Sequence, residues 1–469
     1  MSDAADPVLP PPADAAGSAP ASPEASVEVT AELSTEVTAE VSIEKLVYGG
    51  DGLARWPGGK AAFVPFTLPG ERVRAEREGE KPGFVRARAA EILSAAPERV
   101  APECEYFFRC GGCQLQHAAA ARQLELKREV LRETLARTGG LAWPGEIALH
   151  ASPPWGYRNR VRLRWGPPGP GHDALGYYAR ESHAVIGVGH CPIASPALNA
   201  AMGALAAVPP PAAAHEIELA ADDEDQAILA AVAFARLGTG ERAFAAGLME
   251  RIPGCVSVAA GLAGRAEAPN AALRPGKVVA GPGSFLYKVG DRGYRVSHGA
   301  FFQVNRFLLL ELVAAVTSGS DGAALEGERA VDLFSGVGLF ALPLAARFAE
   351  VSAVENAPAA AADLRFNAAA CHARVYGEDA AAVLARWRGP LDLLLVDPPR
   401  TGLGPKLVAA VAAAAPQRLH YLSCDPATLA RDLRALLAAM PVAVESIELF
   451  DLFPQTYHLE TLVRLRPMP

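Results

Sequence analysis

Asp332-Leu333-Phe334-Ser335-Gly336-Val337-Gly338-Leu339-Phe340 decides the fold. The apolar run from Ala330 to Phe334 reads as a strand, and the glycines behind it as a turn that opens a helix. Gly336 and Gly338 let the backbone approach a ligand closely at the carboxyl edge of a parallel sheet. Glu355 closes the next strand, Val351 to Val354, 17 residues after Gly338. An acid so placed in dinucleotide folds holds ribose hydroxyls. With two glycines rather than three, the turn alone does not name the ligand.

Working outward, Leu391 to Asp397 and Arg418 to Leu422 are further apolar strands, separated by helical stretches. Near-continuous apolar strands alternating with helices predict an α/β domain over residues 286–469, with a Rossmann-like parallel sheet covered on both faces. Residues 41–98 read differently. Short alternating segments such as Val41 to Leu46, Ala61 to Phe66, Glu71 to Ala75 and Phe84 to Arg88 predict a small OB-like β-barrel. Arg72, Arg74, Arg86 and Arg88 lie at period-2 positions there, on a face that either binds or is simply solvated. Residues 99–285 form a less regular central domain. Residues 1–40, rich in Pro, Ala, Ser, Glu and Thr, predict a disordered acidic tail.

The chain has 469 residues and a formal charge of −8. The first 40 residues carry eight acids and no Lys or Arg, so the remainder is neutral. Residues 41–180 carry 21 basic and 15 acidic residues. The overall acidity therefore does not exclude a nucleic-acid partner. No secretory signal and no apolar run of about 18 residues is present, so a cytoplasmic protein without a membrane span is expected.

Three of the seven cysteines, Cys104, Cys110 and Cys113, fall within ten residues, which suggests a metal or iron–sulfur site. Farther on, Arg158, Arg160, Arg162 and Arg164 form a row on one strand face. Such a row needs either an anion, such as RNA phosphate, or acids on a neighbouring strand. Cys424, just beyond the Arg418–Leu422 strand and before a helix start at Pro426, is placed as an activated thiol or as a small buried hydrophobe.

The turn at 332–340, Gly377-Glu378-Asp379 and Asp397-Pro398-Pro399-Arg400 resemble class I S-adenosylmethionine-dependent methyltransferases. Arg400, where an aromatic normally follows Pro-Pro, disfavours amino-nitrogen chemistry. The resemblance narrows with the ordered set Cys104-x5-Cys110-Gly-Gly-Cys113-x2-Gln116-His117, Phe301-Phe302-Gln303-Val304-Asn305, Asp397-Pro398-Pro399-Arg400, Ser423-Cys424 and Gln455-Thr456-Tyr457-His458-Leu459-Glu460. Together they look like the RNA uracil-C5 methyltransferase family, in its RumA-like iron–sulfur branch. Residues 41–98 are similar to that branch's TRAM domain.

The resemblance implies 5-methyluridine formation, in 23S rRNA or alternatively in the T-loop of tRNA, by a monomeric enzyme. It implies that Cys424 is the nucleophile and Glu460 the base, and that Gln303, Phe334, Gly336, Gly338, Glu355, Asp379 and Asp397 form the donor site, with Gln303 and Asp397 also meeting the target base. It favours a [4Fe–4S] cluster over zinc on Cys104, Cys110, Cys113 and Cys191. Phe301 or Phe302 is a candidate for stacking on an extruded uracil, the other reading being core aromatics. Three positions depart from the pattern: Asp425 where Asn is frequent, Ser335 where Cys is common, and Leu339 where some relatives place a polar donor contact. A non-catalytic iron–sulfur RNA-binding protein is the competing class, and it would be expected to lack Cys424, Asp397 or Glu460.

Overall fold

The computed structural model describes residues 37–167, 174–264 and 276–468. Most of the expected acidic tail, residues 1–36, lies outside the described residues. Its end does not behave as a tail. Thr38–Ser42 is a strand, Val41 pairs with Val73, and Ala39 and Val41 are buried. The boundary therefore falls before Thr38, because two apolar residues at period 2 are enough to seat the strand on the core.

Six strands make the first sheet, in the order Thr38–Ser42, Arg72–Lys81, Phe84–Ser94, Ala61–Pro65, Asp51–Arg55 and Lys45–Leu46. Register shifts between Arg72 and Gly79 bend the long central pair. Val41, Trp56, Val64, Val73 and Val85 fill its interior. Arg72, Arg74, Arg86 and Arg88 face solvent, each beside a carboxylate: Glu40, Glu91, Glu181 and Glu76.

The central region is more regular than its sequence suggests. Seven strands run in the order Val185–Gly187, Leu175–Tyr178, Arg160–Trp165, Ala214–Ala221, Ile228–Phe234, Cys255–Leu262 and Lys277–Ala280. Alanine-rich strands such as Ala214–Ala221 and Ile228–Phe234 carry little intrinsic β preference. Burial between neighbours makes them strands.

The third sheet has eight strands: Ala373–Tyr376, Phe348–Val354, Gly327–Leu333, Leu393–Val396, Leu419–Ser423, Glu460–Pro467, Val442–Phe450 and Ile147–His150. The first five are parallel, and Glu460–Pro467 is antiparallel to both neighbours. The last strand comes from the central region, with Ile147 opposite Ile447. Helix Ala120–Gly139 also belongs here, packing Leu131 and Leu135 into one core with Leu429 and Leu433 of helix Pro426–Ala439. Gly139 permits that approach: a Cβ on it would stand 3.0 Å from the Ala430 carbonyl. A division at 285/286 thus cuts through this sheet and its packing. Among the described residues no helix is long and apolar enough to cross a membrane.

Candidate active site

The register of the third sheet brings the site together. Leu333 pairs with both Val354 and Val396, so Phe334, Glu355 and Asp397 leave three adjacent strands at one level. Val396 pairs with Tyr421, which places the end of the Leu419–Ser423 strand on the same edge. Ser423 pairs with Thr461 in the antiparallel neighbour. The next residues outward are Cys424 and Glu460, which the register sets against each other.

Burial pushes the Cys424 thiol up to about 12, and the Glu460 and Asp397 carboxyls push in the same direction. Burial and Asp397 likewise hold the Glu460 carboxyl well above its ordinary range. Glu460 is 2% exposed, and its Oε1 has no hydrogen-bond partner. An orphaned buried carboxyl oxygen is costly, and a role in catalysis is one physical reason for it. Arg400 opposes both effects, lowering the thiol and the carboxyl alike. Its Nη2 lies 3.4 Å from the His458 ring nitrogens, and the ring is held neutral, burial pushing it down to about 3. Sequence reasoning used Arg400 only to exclude amino chemistry. Its position directly after Asp397-Pro-Pro, on the sheet edge, was the available signal.

On the other side of the edge, Gly336 donates its N–H to Glu355 Oε2 at 3.0 Å, and Ala357 N–H reaches Oε1 at 2.6 Å. Gly336 has φ +56, and beyond the Phe301 carbonyl, at 4.0 Å, nothing would meet a Cβ there. Gly338 is closed instead: a Cβ would fall 2.6 Å from Leu342 Cδ1. The first glycine leaves room for a ligand and the second allows the helix to pack. Phe334 takes up left-handed backbone at φ 63, a conformation that non-glycine residues seldom adopt. Gln303 is buried and points Nε2 at Asp397 Oδ2 from 3.5 Å, the outer limit of a hydrogen bond. Burial raises Asp397 to about 7 and the adjoining Asp332 to about 8. Asp379 caps helix Ala380–Ala385 through Ala382 N–H at 3.0 Å, at the end of the neighbouring strand. This acid-lined edge with open space before Gly336 fits a cationic sulfonium donor.

Comparison with known proteins agrees with the geometry. Residues 37–90 match the TRAM domain family, and residues 382–467 match the family described as tRNA (Uracil-5-)-methyltransferase. The chain is 36% identical over 419 residues to the 23S rRNA (uracil(1939)-C(5))-methyltransferase RlmD of Alkalilimnicola ehrlichii, covering 86% of this chain and 91% of that one. It is 35% identical to the RlmD of Halomonas elongata over 443 residues, covering 90% and 88%.

The chain belongs to the RNA uracil-C5 methyltransferase family.

This methyltransferase uses S-adenosylmethionine to methylate uracil C5 in RNA. Its fold is that of the Pyrococcus abyssi tRNA (uracil-54, C5)-methyltransferase, with a TM-score of 0.69, 23% identity, and coverage of 91% of this chain and 99% of that chain.

In the methyltransferase the arginine row is not a free anion track. Glu218 on the adjacent strand lies 3.5 Å from Arg160 and 3.2 Å from Arg162, and Glu216 pairs with Arg164. Arg158 turns its Nε to the Arg160 carbonyl at 2.8 Å. Acids on the next strand were the alternative reading, and the register that pairs Arg162 with Glu218 realises it. Phe301 and Phe302 also separate. Phe302 is 5% exposed and packs 4.6 Å from Tyr287, whereas Phe301 is 59% exposed.

Burial pushes the Cys113 thiol up to about 12, with Cys191, Cys110 and Cys104 adding to the rise. The four thiols thus share one neighbourhood, and a four-thiol donor set suits iron–sulfur or zinc. Among the described residues, however, no three Cys, His, Asp or Glu side chains stand as a ready-made metal-binding group. The cysteine loop also touches the edge that carries Glu460. Gln114 and Leu115 donate their N–H groups to the Gln455 carbonyl at 3.0 and 2.9 Å, fastening the segment that leads to Glu460. Cys255 and Cys371 are half-buried.

Proposed function

We propose that this enzyme makes 5-methyluridine in 23S rRNA, with Cys424 as nucleophile and Glu460 as base. The carrying observation is the opposed pair at the sheet edge, a thiol beside a buried carboxyl with an unpartnered oxygen. Uracil C5 is too weak a nucleophile to attack a sulfonium methyl. Addition of the Cys424 sulfur to C6 creates an enolate with carbanion character at C5, splitting one difficult step into two. Arg400 is the cation placed to favour the thiolate against the surrounding acids. C5 then takes the methyl group, whose sulfonium supplies the electrophile. Glu460 removes the remaining C5 proton, the C5–C6 double bond re-forms and the Cys424 sulfur departs.

Gly336, Gly338, Phe334 and Glu355 would line the donor, Asp379 would lie toward its adenine, and Gln303 with Asp397 would stand between donor and target base. Phe301, exposed beside Gly336, would stack on the extruded uracil. Cys104, Cys110, Cys113 and Cys191 would hold a [4Fe–4S] cluster with a structural role, bracing the loop that fastens Gln455. The enzyme would act in the cytoplasm as a monomer.

The ribosomal target is supported by relatives named for 23S rRNA that align over most of the chain. Recombinant enzyme, methyl donor and unmodified 23S rRNA fragments should yield 5-methyluridine, whereas tRNA transcripts should not. Methylation of the tRNA alone would overturn the target. Cys424→Ala should abolish turnover, and full activity in that variant would overturn the nucleophile. Anaerobically purified protein should contain iron and absorb visible light. Zinc without a chromophore would overturn the cluster assignment.

A further inference from the structure

The turn at the start of the TRAM domain reaches into the catalytic edge. Tyr48 precedes the left-handed glycines Gly49 and Gly50, whose φ values are 110° and 89°. Its hydroxyl donates to Asp425 Oδ2 at 3.1 Å, across 377 residues of chain. Asp425 directly follows Cys424. Its other oxygen, Oδ1, accepts from Ala427 N–H at 3.0 Å and Thr428 N–H at 2.8 Å, capping helix Pro426–Ala439. One carboxylate thus fixes the turn that carries the thiol, and Tyr48 occupies its remaining oxygen.

The same ring meets the second catalytic segment. Tyr48 and Tyr457 pack edge-on with centroids 5.3 Å apart, and Tyr457 lies 4.1 Å from the His458 ring, two residues before Glu460. Gly50 makes this approach possible: a Cβ there would stand 2.9 Å from Gln114 Cβ and 3.5 Å from Tyr457 Cβ. The turn is seated between the cysteine loop and the base segment, with its one polar tip on the nucleophile's cap.

We propose that Tyr48 is a positioning residue for catalysis, holding the Cys424 turn through Asp425 and the Glu460 segment through Tyr457. The TRAM domain thereby completes the active site. The proposal rests on Cys424 and Glu460 being nucleophile and base. Misplacing a reacting atom by a fraction of an ångström is felt in the chemical step rather than in substrate affinity. The prediction is therefore a split between kcat and KM.

Tyr48→Phe removes the hydroxyl and keeps the ring. Its kcat should fall about 10-fold, with KM for RNA changed by less than about 2-fold. RNA carrying 5-fluorouridine removes the elimination step: after addition and methyl transfer C5 bears fluorine in place of the proton, so the adduct accumulates and reports the steps before elimination. Adduct formation by Tyr48→Phe should slow by the same factor. Asp425→Asn keeps a capping oxygen and gives the tyrosine oxygen an N–H partner, so it should lose less than Asp425→Ala. Asp425→Ala should lose as much as Tyr48→Phe, and the double variant should lose no more than Asp425→Ala alone. An unchanged adduct rate in Tyr48→Phe, a rise in KM alone, or additive losses would overturn the proposal. Cys424→Ala separates the two readings: adduct formation by that variant would sink the nucleophile assignment itself, whatever Tyr48 does.

Discussion

Cys424 and Glu460 face each other across an antiparallel pair, each one residue outward from the Ser423–Thr461 couple. That relation makes the two steps separable by mutation. Glu460→Gln keeps the shape and removes the proton acceptor. Addition and methyl transfer should proceed while elimination stalls, with turnover falling about 10²–10⁴-fold. A protein band shifted by covalent RNA on a denaturing gel is the expected result. Absence of that band, with turnover retained, would remove Glu460 from the mechanism.

The acids around Cys424 should be visible in its titration. Burial, Glu460, Asp397 and Asp425 raise the thiol, and Arg400 lowers it. Alkylation of Cys424 by iodoacetamide should be slow at neutral pH and rise into the alkaline range. Glu460→Gln should move that profile to lower pH, since a negative neighbour is lost, and Arg400→Gln should move it higher. Profiles superimposed on the wild type would contradict this arrangement of charges.

Asp332 should make stability depend on pH. Its carboxyl is raised by burial from 3.8 to about 8, so between those values the unfolded chain ionises while the folded chain stays protonated. Stability from this group is complete below the lower value and is lost as pH climbs toward the upper one. Asp332→Asn, neutral throughout, should melt higher than wild type at pH 8, with the difference shrinking toward pH 5. A difference independent of pH would mean that Asp332 is not the titrating group.

The two phenylalanines should fail in different ways. Phe302→Ala empties a packed site and should cost about 3–5 kcal/mol in chemical denaturation. Phe301→Ala should leave stability intact and weaken RNA engagement by about 10-fold in KM, the scale of one lost base stack. Equal stability losses in both would deny Phe301 its role at the substrate.

Removing residues 1–36 should leave folding and methylation unchanged. Removing residues 1–42 takes away the strand that pairs Val41 with Val73 and should lower the melting temperature. Loss of activity in the shorter deletion would give the acidic segment a function.

The strand–turn–helix at 332–340 was readable because its apolar runs, glycines and terminal acids obey local rules. The site was readable only as separate motifs. Nothing local to Gln455–Glu460 says that its strand runs antiparallel beside Leu419–Ser423, and that pairing is what opposes Glu460 to Cys424. The arginine row stayed open between two readings for the same reason. Glu216 and Glu218 lie some fifty residues on, in an alanine-rich strand that a local reading passes over. Tyr48 was out of reach altogether, since a tyrosine before two glycines reads as an ordinary turn until the fold carries it to Asp425.

The strand Ile147–His150 has a consequence for how the chain is made. It is made about 300 residues ahead of Val442–Phe450, the one strand it pairs with among the described residues. The sheet that carries Cys424 and Glu460 therefore stays open until Val442–Phe450 has been made, by which point helix Pro426–Ala439 can also dock on Ala120–Gly139. A fragment beginning at residue 286 would carry Val442–Phe450 with one bare edge, inviting pairing between chains. Late closure of the sheet and the bare edge of such a fragment both follow from one long-range pairing.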